Sequence, residues 1–375
     1  MTNAIELTLW IGPVVPIRVS KPVIDALESV RVTTKAAGRS GFELHFTIDV
    51  NSPLQTLFLI GGGAIPPLVR VVIGVTVNGT MNVLMDGVMT DHHVGTDVQN
   101  GRTTLTVMGE DLTRVMDYFD ISGLPFPAMP AEAQVALALV KYALLGVIPM
   151  IIPSVLIDIP IPIDRIPRQK GTDLKHIKRL ADAVGYVFYL DPGPQPGMSV
   201  AYWGPQIKLG AAQPALGIDA DAYSNVEHLQ FTFKNDHRKL PIVIIQEQTT
   251  KIPIPIAVGA ITPLNPPLGI IQPIPTGIDL TVGAAKWSAM RAALIAMARA
   301  SKSADTVTAS GSLNVLRYGQ VLKARKLVGL RGAGTAFDGL YYVNAVTHNI
   351  KRGEYKQDFE LTRNGLVSTV GSIPS

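Results

Sequence analysis

The chain of 375 residues has no cysteine, which excludes disulfide bonds, thiolate metal sites and cysteine nucleophiles. It is also poor in charge, because Asp, Glu, Lys and Arg make up 17% of the residues, whereas about 25% is typical of soluble domains. Apolar residues make up 47%, far too many for a disordered chain. A folded monomer with so little charge would expose large apolar patches. We therefore expect much of the surface to be buried between subunits.

Dense basic runs are lacking as well. The 33 Lys and Arg residues against 29 Asp and Glu residues leave a net charge of +4 that is spread along the chain. Nucleic-acid binding proteins concentrate their basic residues, so a specific nucleic-acid partner is not expected. Arg317, Lys323, Arg325 and Lys326 are predicted to lie on a solvated surface.

The N-terminus has no basic segment of the kind that starts a secretory signal, which predicts residence in a cytoplasm. One apolar stretch, residues 135–157, has nearly the length of a membrane span, but Pro149 and Pro153 interrupt it. We expect a helix at about 131–145 followed by an extended, proline-rich strand in a subunit contact, and no stable membrane insertion.

Glycine and proline are abundant, with 34 and 28 residues, and they separate segments of alternating polarity. Residues 42–49 alternate apolar and polar side chains, the period of a half-buried strand. Asn78-Gly79 lies between two apolar runs and predicts a tight hairpin. Leu105 and Val107 indicate a further strand. Residues 1–112 are therefore predicted to form a first β-barrel, with a short helix at 53–59.

Residues 113–225 are predicted to form a mixed α+β domain. Apolar residues at helical spacing follow a candidate N-cap, Thr172 or Asp173, and Gly185 ends the run. Two strands at about 186–190 and 200–203 are predicted to form a hairpin.

Strand patterns return in residues 226–250 and 305–375, which are predicted to form a second β-barrel. A proline-rich and helical insertion, residues 251–304, interrupts it. One stripe of the predicted helix carries four large apolar residues, Trp287, Met290, Leu294 and Met297. The final hairpin is predicted from residues 340–350 and 355–362.

Asp86-Gly87 and Asp338-Gly339 each open a strand, a turn and a second strand. This similarity indicates that the chain carries the same β-domain twice. The predicted fold class is mainly β with α+β insertions, consisting of two similar tube-like antiparallel β-barrels and a mixed α/β middle domain.

Residues that could carry chemistry are sparse. Asp91-His92-His93 is the single histidine cluster, but adjacent histidines on a strand point to opposite faces, so we interpret it as a solvated turn. His45 is expected at the surface or in an interface, and His348 is expected to make a structural hydrogen bond.

Two further motifs are incomplete. Asp219 and Asp221 lack the glycine and the distal glutamate of a calcium loop, and residues 61–63 lack the lysine of a phosphate loop. No catalytic, cofactor or metal site is predicted. A carboxylate pair that meets only in space stays open as an alternative.

Two isoleucine-proline segments are near copies of each other. Alternating proline cannot donate to a central strand ladder, so these segments are predicted to be extended edge or polyproline-like arms. They could pack internally or dock on a partner, and we favour docking. The predicted interface residues are Ile159, Pro160, Ile161, Pro162, Ile252, Pro253, Ile254 and Pro255.

The final third of the chain resembles the closing barrel of the phage late control D family, the baseplate hub proteins of contractile tails. This family is related to the hub half of the type VI secretion spike protein. The strings that carry the resemblance include Thr308-Ala309-Ser310-Gly311-Ser312-Leu313, Tyr318-Gly319-Gln320-Val321-Leu322, Phe337-Asp338-Gly339-Leu340-Tyr341-Tyr342-Val343 and Lys351-Arg352-Gly353-Glu354-Tyr355-Lys356-Gln357-Asp358-Phe359-Glu360. The middle segments 171–174 and 185–189 also resemble that family, whereas the isoleucine-proline arms and residues 135–157 do not.

The resemblance implies a homotrimer in which two barrels per chain form a ring of six-fold pseudo-symmetry. Such a ring would join a hexameric tail tube to a trimeric central spike, with the tape-measure protein and baseplate wedge proteins as further partners. It implies no enzymatic activity, no cofactor and no small-molecule substrate. The expected location is the virion tail baseplate, assembled in the cytoplasm of the bacterial host. Because the chain ends at Ser375, we expect the spike to be a separate protein.

Two alternatives stay open at this point. The same fold could serve a bacterial contractile injection system or a tailocin. A different class of protein would be a β-rich enzyme that degrades polysaccharide at the tail tip.

Overall fold

The computed structural model describes residues 5–48, 68–97, 102–154, 166–218, 224–234, 238–247, 250–257, 265–281 and 287–371, together with residues 52, 54, 58 and 284. Most of the regular structure is β-strand, with short helices between the strands. The predicted class, mainly β with α+β insertions, is confirmed.

In residues 5–48, 68–97 and 102–111, the first part of the chain forms seven strands and one short helix. The strands are β1 (Ile5–Gly12), β2 (Ile17–Arg18), β3 (Leu27–Lys35), β4 (Gly41–Ile48), β5 (Arg70–Val77), β6 (Thr80–Asp97) and β7 (Arg102–Asp111), and the helix is α1 (Lys21–Asp25). The alternation in residues 42–48 places Phe42, Leu44 and Phe46 in the core. Asn78 and Gly79 close the predicted β5–β6 hairpin, with positive φ angles of 49° and 79°. The helix predicted at 53–59 lies almost entirely outside the described residues.

A smaller α/β layer follows. Its elements are two 3₁₀ helices (Leu112–Asp117 and Ala143–Leu145), α2 (Ala131–Val140), β8 (Val147–Ile151), α3 (Asp173–Asp182), β9 (Val187–Pro192) and β10 (Ser199–Gly204). The strands form a sheet in the order β8-β10-β9, so Pro149 lies in an edge strand, as its missing N–H favours.

Local capping explains the position of α3. The Thr172 hydroxyl accepts a hydrogen bond from the Lys175 amide at 3.3 Å, and the chain turns at Gly185 with a φ of 73°. Both features agree with the prediction. The preceding helix is shorter than predicted, because α2 ends at Val140 and a 3₁₀ turn replaces its last residues.

The last part of the chain contains the remaining elements. They are β11 (Gln213–Gly217), β12 (Val226–Phe233), β13 (Lys239–Gln246), β14 (Pro253–Ala257), β15 (Gly269–Ile271), β16 (Gly277–Thr281), α4 (Ala289–Ser303), β17 (Val307–Asn314), α5 (Val315–Tyr318), β18 (Leu327–Arg331), β19 (Gly339–Lys351), β20 (Glu354–Arg363) and β21 (Leu366–Ser368). Strands β19 and β20 form the predicted final hairpin.

The insertion forms its own small α/β unit, in which α4 covers a three-stranded sheet of order β14-β13-β16. Strand β13 belongs to this sheet, although its residues fall within the segment 226–250 that we assigned to the second barrel. The predicted apolar stripe is only partly right: Trp287 packs against the core of this unit, but Met290 is 59% exposed, and the helix buries Ala292 and Ala296 there. Alanine side chains allow a helix to lie close to a sheet, so the small residues form the contact face.

Strands β15 and β21 form a separate two-stranded sheet, and the remaining described strands form one large, mainly antiparallel sheet in which β11 pairs with β18 in parallel. Its order is β12-β17-β20-β19-β3-β4-β7-β6-β5-β1-β2, with β18 paired to β19 and to β11. Two sets of five strands repeat the same order, β3-β4-β7-β6-β5 and β12-β17-β20-β19-β18. We call the first set unit 1 and the second set unit 2. The repeat predicted from the sequence therefore exists as a repeat of strand topology.

The registers of the two units match as well. The β6–β7 pair has a bulge after Met89, and the β19–β20 pair has a bulge after Val343. When these bulges are aligned, Gly87 corresponds to Tyr341 and not to Gly339. The two Asp-Gly motifs that suggested the repeat are thus two residues out of register with each other.

Candidate assembly interface

The isoleucine-proline arms are only partly described. Residues 155–165, which include Ile159, Pro160, Ile161 and Pro162, lie outside the described residues. The second arm forms strand β14, which pairs with β13 along one edge. Pro253 and Pro255 lie in this edge strand, where a missing N–H costs nothing. Ile252 precedes the strand and is exposed, as is Ile254 within it.

The sheet of the insertion has an apolar side opposite α4, on which Ile244, Ile278 and Leu280 are exposed. Side chains of β13 alternate, so that Val243 and Ile245 are buried towards α4 and the residues between them face away. The register sets Ile278 of β16 beside Leu240, and Leu280 beside Ile242. We call the outward set the insertion face; its residues are Leu240, Ile242, Ile244, Ile278 and Leu280.

Several of the apolar side chains on the insertion face are exposed to solvent. Ile278 and Leu280 are 65% and 51% exposed. An apolar sheet face of this kind marks a contact surface more often than a solvated one. Sequence reasoning missed it, although residues 242–245 form an apolar run without polar alternation, which is typical of a strand covered on both faces.

The Asp91-His92-His93 cluster lies within strand β6, so the predicted solvated turn is wrong. The strand continues because its pairing with β7 extends to Asp97. Among the described residues no group of three acidic or histidine side chains is arranged to hold a metal ion.

The other two histidines singled out by sequence have structural partners. His45 is partly exposed, and its Nδ1 lies 3.0 Å from the Thr106 hydroxyl. His348 is buried, and its Nδ1 lies 2.7 Å from the Tyr355 hydroxyl and 3.2 Å from Nε2 of Gln357. Burial lowers the pKa of His348 to about 3, so the ring is neutral at physiological pH. The predicted structural hydrogen bond is confirmed.

A buried ion pair ties unit 1 to the α/β layer. Arg70 and Asp86 form a bidentate pair with N–O distances of 2.7 and 2.8 Å, and both side chains are buried. Arg70 also donates to the carbonyl oxygens of Leu145 and Gly197, and the Ser199 hydroxyl donates to Asp86. The sequence singled out Asp86 only as part of a motif, because its partners lie far apart along the chain.

Arg325 makes a comparable connection from unit 2, and the solvated surface predicted for it is wrong. Its guanidinium lies 4.1 Å from the centre of the Tyr189 ring and donates to Asp191 at 2.8 Å. It also donates to the Lys35 carbonyl at 2.6 Å. These contacts line a groove of about 800 Å³ between the α/β layer and the large sheet. The groove is lined by aromatic rings and cations held in fixed contacts, which pack the α/β layer against the large sheet.

Within the described residues, no helix combines the length and the apolar composition that crossing a membrane requires.

Comparison with known proteins identifies the fold. No protein-family model matches the sequence, and no curated protein matches it significantly. Solved structures do match. A tail protein from Neisseria meningitidis has a TM-score of 0.61 at 12% identity, over 96% of this chain and 98% of that one. The 43 kDa tail protein of prophage MuSo2 from Shewanella oneidensis has a TM-score of 0.62 at 14% identity, with the same coverage.

A third similar structure comes from a secretion system. The Escherichia coli c3393 protein, described as a component of the type VI secretion system with structural similarity to phage T4 tail proteins gp27 and gp5, has a TM-score of 0.55 at 11% identity. The match covers 93% of this chain and 76% of that one. At these identities the similarity establishes the fold, which is the fold of phage tail proteins and of a type VI secretion component.

Proposed function

We propose that this protein is the structural baseplate hub of a contractile tail, a homotrimeric symmetry adaptor between a hexameric tail tube and a trimeric central spike. The role is assembly, without catalysis or a cofactor. Its location is the tail baseplate of a virion, assembled in the host cytoplasm. The tape-measure protein and baseplate wedge proteins are further neighbours.

The observation that carries this proposal is the repeated strand order of units 1 and 2. One chain supplies two equivalent β-units, so three chains supply six. A ring of three chains then presents six similar units to a six-fold tube and three identical chains to a three-fold spike. The shared fold with phage tail proteins agrees with this role.

The same arrangement would serve a bacterial contractile injection system. The similarity to a type VI secretion component favours this as the second candidate. The two candidates share the hub role and differ in the machine that contains it.

The insertion face and the second isoleucine-proline arm belong to one small α/β unit, and we place both at a protein contact of the hub. Their exposed apolar side chains support this placement. For Ile159, Pro160, Ile161 and Pro162 the proposal rests on their similar composition alone.

The proposal is tested by mixing the purified chain with its candidate spike protein and measuring the mass of the complex by light scattering. We expect three copies of this chain of 40.1 kDa with one spike trimer. Absence of binding, or a complex with one chain per spike trimer, would overturn the adaptor role.

A further inference from the structure

The two units are joined within the chain by a pair of antiparallel strands. Unit 2 contributes the second half of β19, and unit 1 contributes β3. The register sets Thr347 opposite Thr33, and their hydroxyl oxygens lie 3.1 Å apart. The same ladder sets His348 opposite Val32, both buried. The chain therefore contains one complete example of a unit-to-unit junction.

In the other unit, β3 corresponds to β12 and β19 corresponds to β6. Neither β12 nor β6 has such a partner strand in the described part of the chain. Strand β12, the counterpart of β3, pairs with β17 only. The second half of β6, the counterpart of β19, pairs with β7 only, because its pairing with β5 stops at Val88. Among the described residues, each unit therefore leaves unpaired the strand edge that the other unit uses for the junction.

The exposed side chains follow the same correspondence. Val94 of β6 is 47% exposed, whereas its counterpart His348 is 4% exposed inside the junction. Phe231 of β12 is half-buried, whereas its counterpart Val32 is fully buried. The free edges thus present side chains of the kind that the internal junction buries.

Matching bulges define which residues correspond. The β3–β4 pair is irregular after Leu27, and the β12–β17 pair is irregular after Val226. These irregularities, together with the bulges after Met89 and Val343, give a single residue-by-residue alignment of unit 1 with unit 2. The Thr347–Thr33 pair then corresponds to His93 and Thr232.

We propose that β12 of one copy pairs antiparallel with the second half of β6 of a neighbouring copy, with Thr232 opposite His93. The partner is a second copy of this chain, and the large sheet continues from copy to copy. The proposal rests on the proposed homotrimer and specifies how its subunits join. Because the two edges differ, the contact is head-to-tail and can repeat around a ring.

The residues brought together in this register are complementary. Asp91 would lie opposite Lys234, which pairs opposite charges. Val94 would lie opposite Phe231, an aliphatic–aromatic pair of the type that stabilises strand contacts. A shift by one residue would turn the apolar side chains of β12 to the other face of the sheet.

Paired cysteines test the register, since the chain contains no native cysteine. We expect the double variant His93→Cys/Thr232→Cys to form covalent dimers and trimers on oxidation, seen on a non-reducing gel. The variant Thr33→Cys/Thr347→Cys is the matched control, because its disulfide forms within one chain at the equivalent position. The variant Asp91→Cys/Thr232→Cys places the thiols two residues out of register, beyond the reach of a disulfide.

The outcomes separate this inference from the proposed function. If the chain assembles and the control variant oxidises, but His93→Cys/Thr232→Cys stays unlinked or links no better than Asp91→Cys/Thr232→Cys, the strand junction is wrong and the trimer stands. If the chain is monomeric at all concentrations, both the trimer and the junction are wrong.

Discussion

Arg70 is held by five acceptor contacts at the boundary between unit 1 and the α/β layer. Two go to Asp86 and three go to the carbonyl oxygens of Val14, Leu145 and Gly197. A buried ion pair adds little stability relative to an apolar pair, but removal of one partner leaves the other charge buried and uncompensated. Loss of either partner should therefore weaken the attachment of the two layers.

We predict that Asp86→Ala lowers the free energy of unfolding by about 3–5 kcal/mol, because the Arg70 guanidinium stays buried without its counter-charge. Urea denaturation followed by circular dichroism measures the change. Glu6→Ala is the matched control, since it breaks the exposed Arg18–Glu6 pair and should cost less than about 1 kcal/mol. Equal, small losses in both variants would contradict the structural role of Asp86.

The buried His348 ring should make the stability of the folded chain depend on pH. Its pKa is about 3 in the folded chain because of burial, and about 6.5 is usual for an unfolded one. Between these values the unfolded chain binds a proton that the native ring does not bind, so the free energy of unfolding falls as the pH is lowered from about 6.5 towards about 3. Burial also lowers the pKa of His176, to about 4, which acts in the same direction.

The test is denaturation at several pH values between 7 and 4. We expect His348→Gln to reduce the loss of stability over this range, because the substitution removes a titrating ring. The glutamine side chain can still accept a hydrogen bond from the Tyr355 hydroxyl. The unaltered chain, measured over the same pH range, is the reference. An unchanged slope in His348→Gln would show that the buried ring does not control the acid response.

Among the elements, those with local chemistry were predictable from sequence. The β5–β6 hairpin follows from Asn78-Gly79, which adopts the positive φ angles that this turn requires. Helix α3 follows from its capping hydroxyl on Thr172 and its terminal glycine. The buried face of α4 was not predictable. Ala292 and Ala296 are small, so they contribute less to a hydrophobic periodicity than the large side chains of Met290 and its neighbours.

Elements that depend on distant partners were harder to predict. The end of β6 reads as a polar turn, yet pairing with β7 keeps it extended. The insertion face depends on the parallel pairing of β13 with β16, whose residues lie more than thirty positions apart. The alternating prolines were enough to predict an extended edge position for the second arm. They did not predict which strands form the sheet that it joins.

The insertion face gives a prediction for one element. We expect Ile278→Gln/Leu280→Gln to change the free energy of unfolding by less than about 0.5 kcal/mol per site, because both side chains are largely exposed. The same variant should weaken association with a second copy or with the spike at least tenfold, measured by sedimentation. Ile274→Gln is the control, since this residue is also exposed but lies outside the strands of the sheet. Intact association in the double variant would remove the insertion face from the proposed contacts.

At the scale of the whole molecule, the repeated unit connects sequence, fold and function. In the sequence the repeat is visible only as two Asp-Gly motifs. When the two units are aligned by their strand registers, these motifs are two residues out of alignment. The fold retains the strand order and the bulges, because these depend on backbone pairing rather than on side-chain identity. The low charge and the exposed apolar side chains agree with the proposed trimer, in which neighbouring copies would cover part of this surface.

The measurement that tests the central claim most directly is the mass of the purified chain by native mass spectrometry over a range of concentrations. The account predicts a closed species of three chains, three times 40.1 kDa, without larger open assemblies. A chain that stays at 40.1 kDa at every concentration, or that forms only dimers, would contradict the symmetry adaptor.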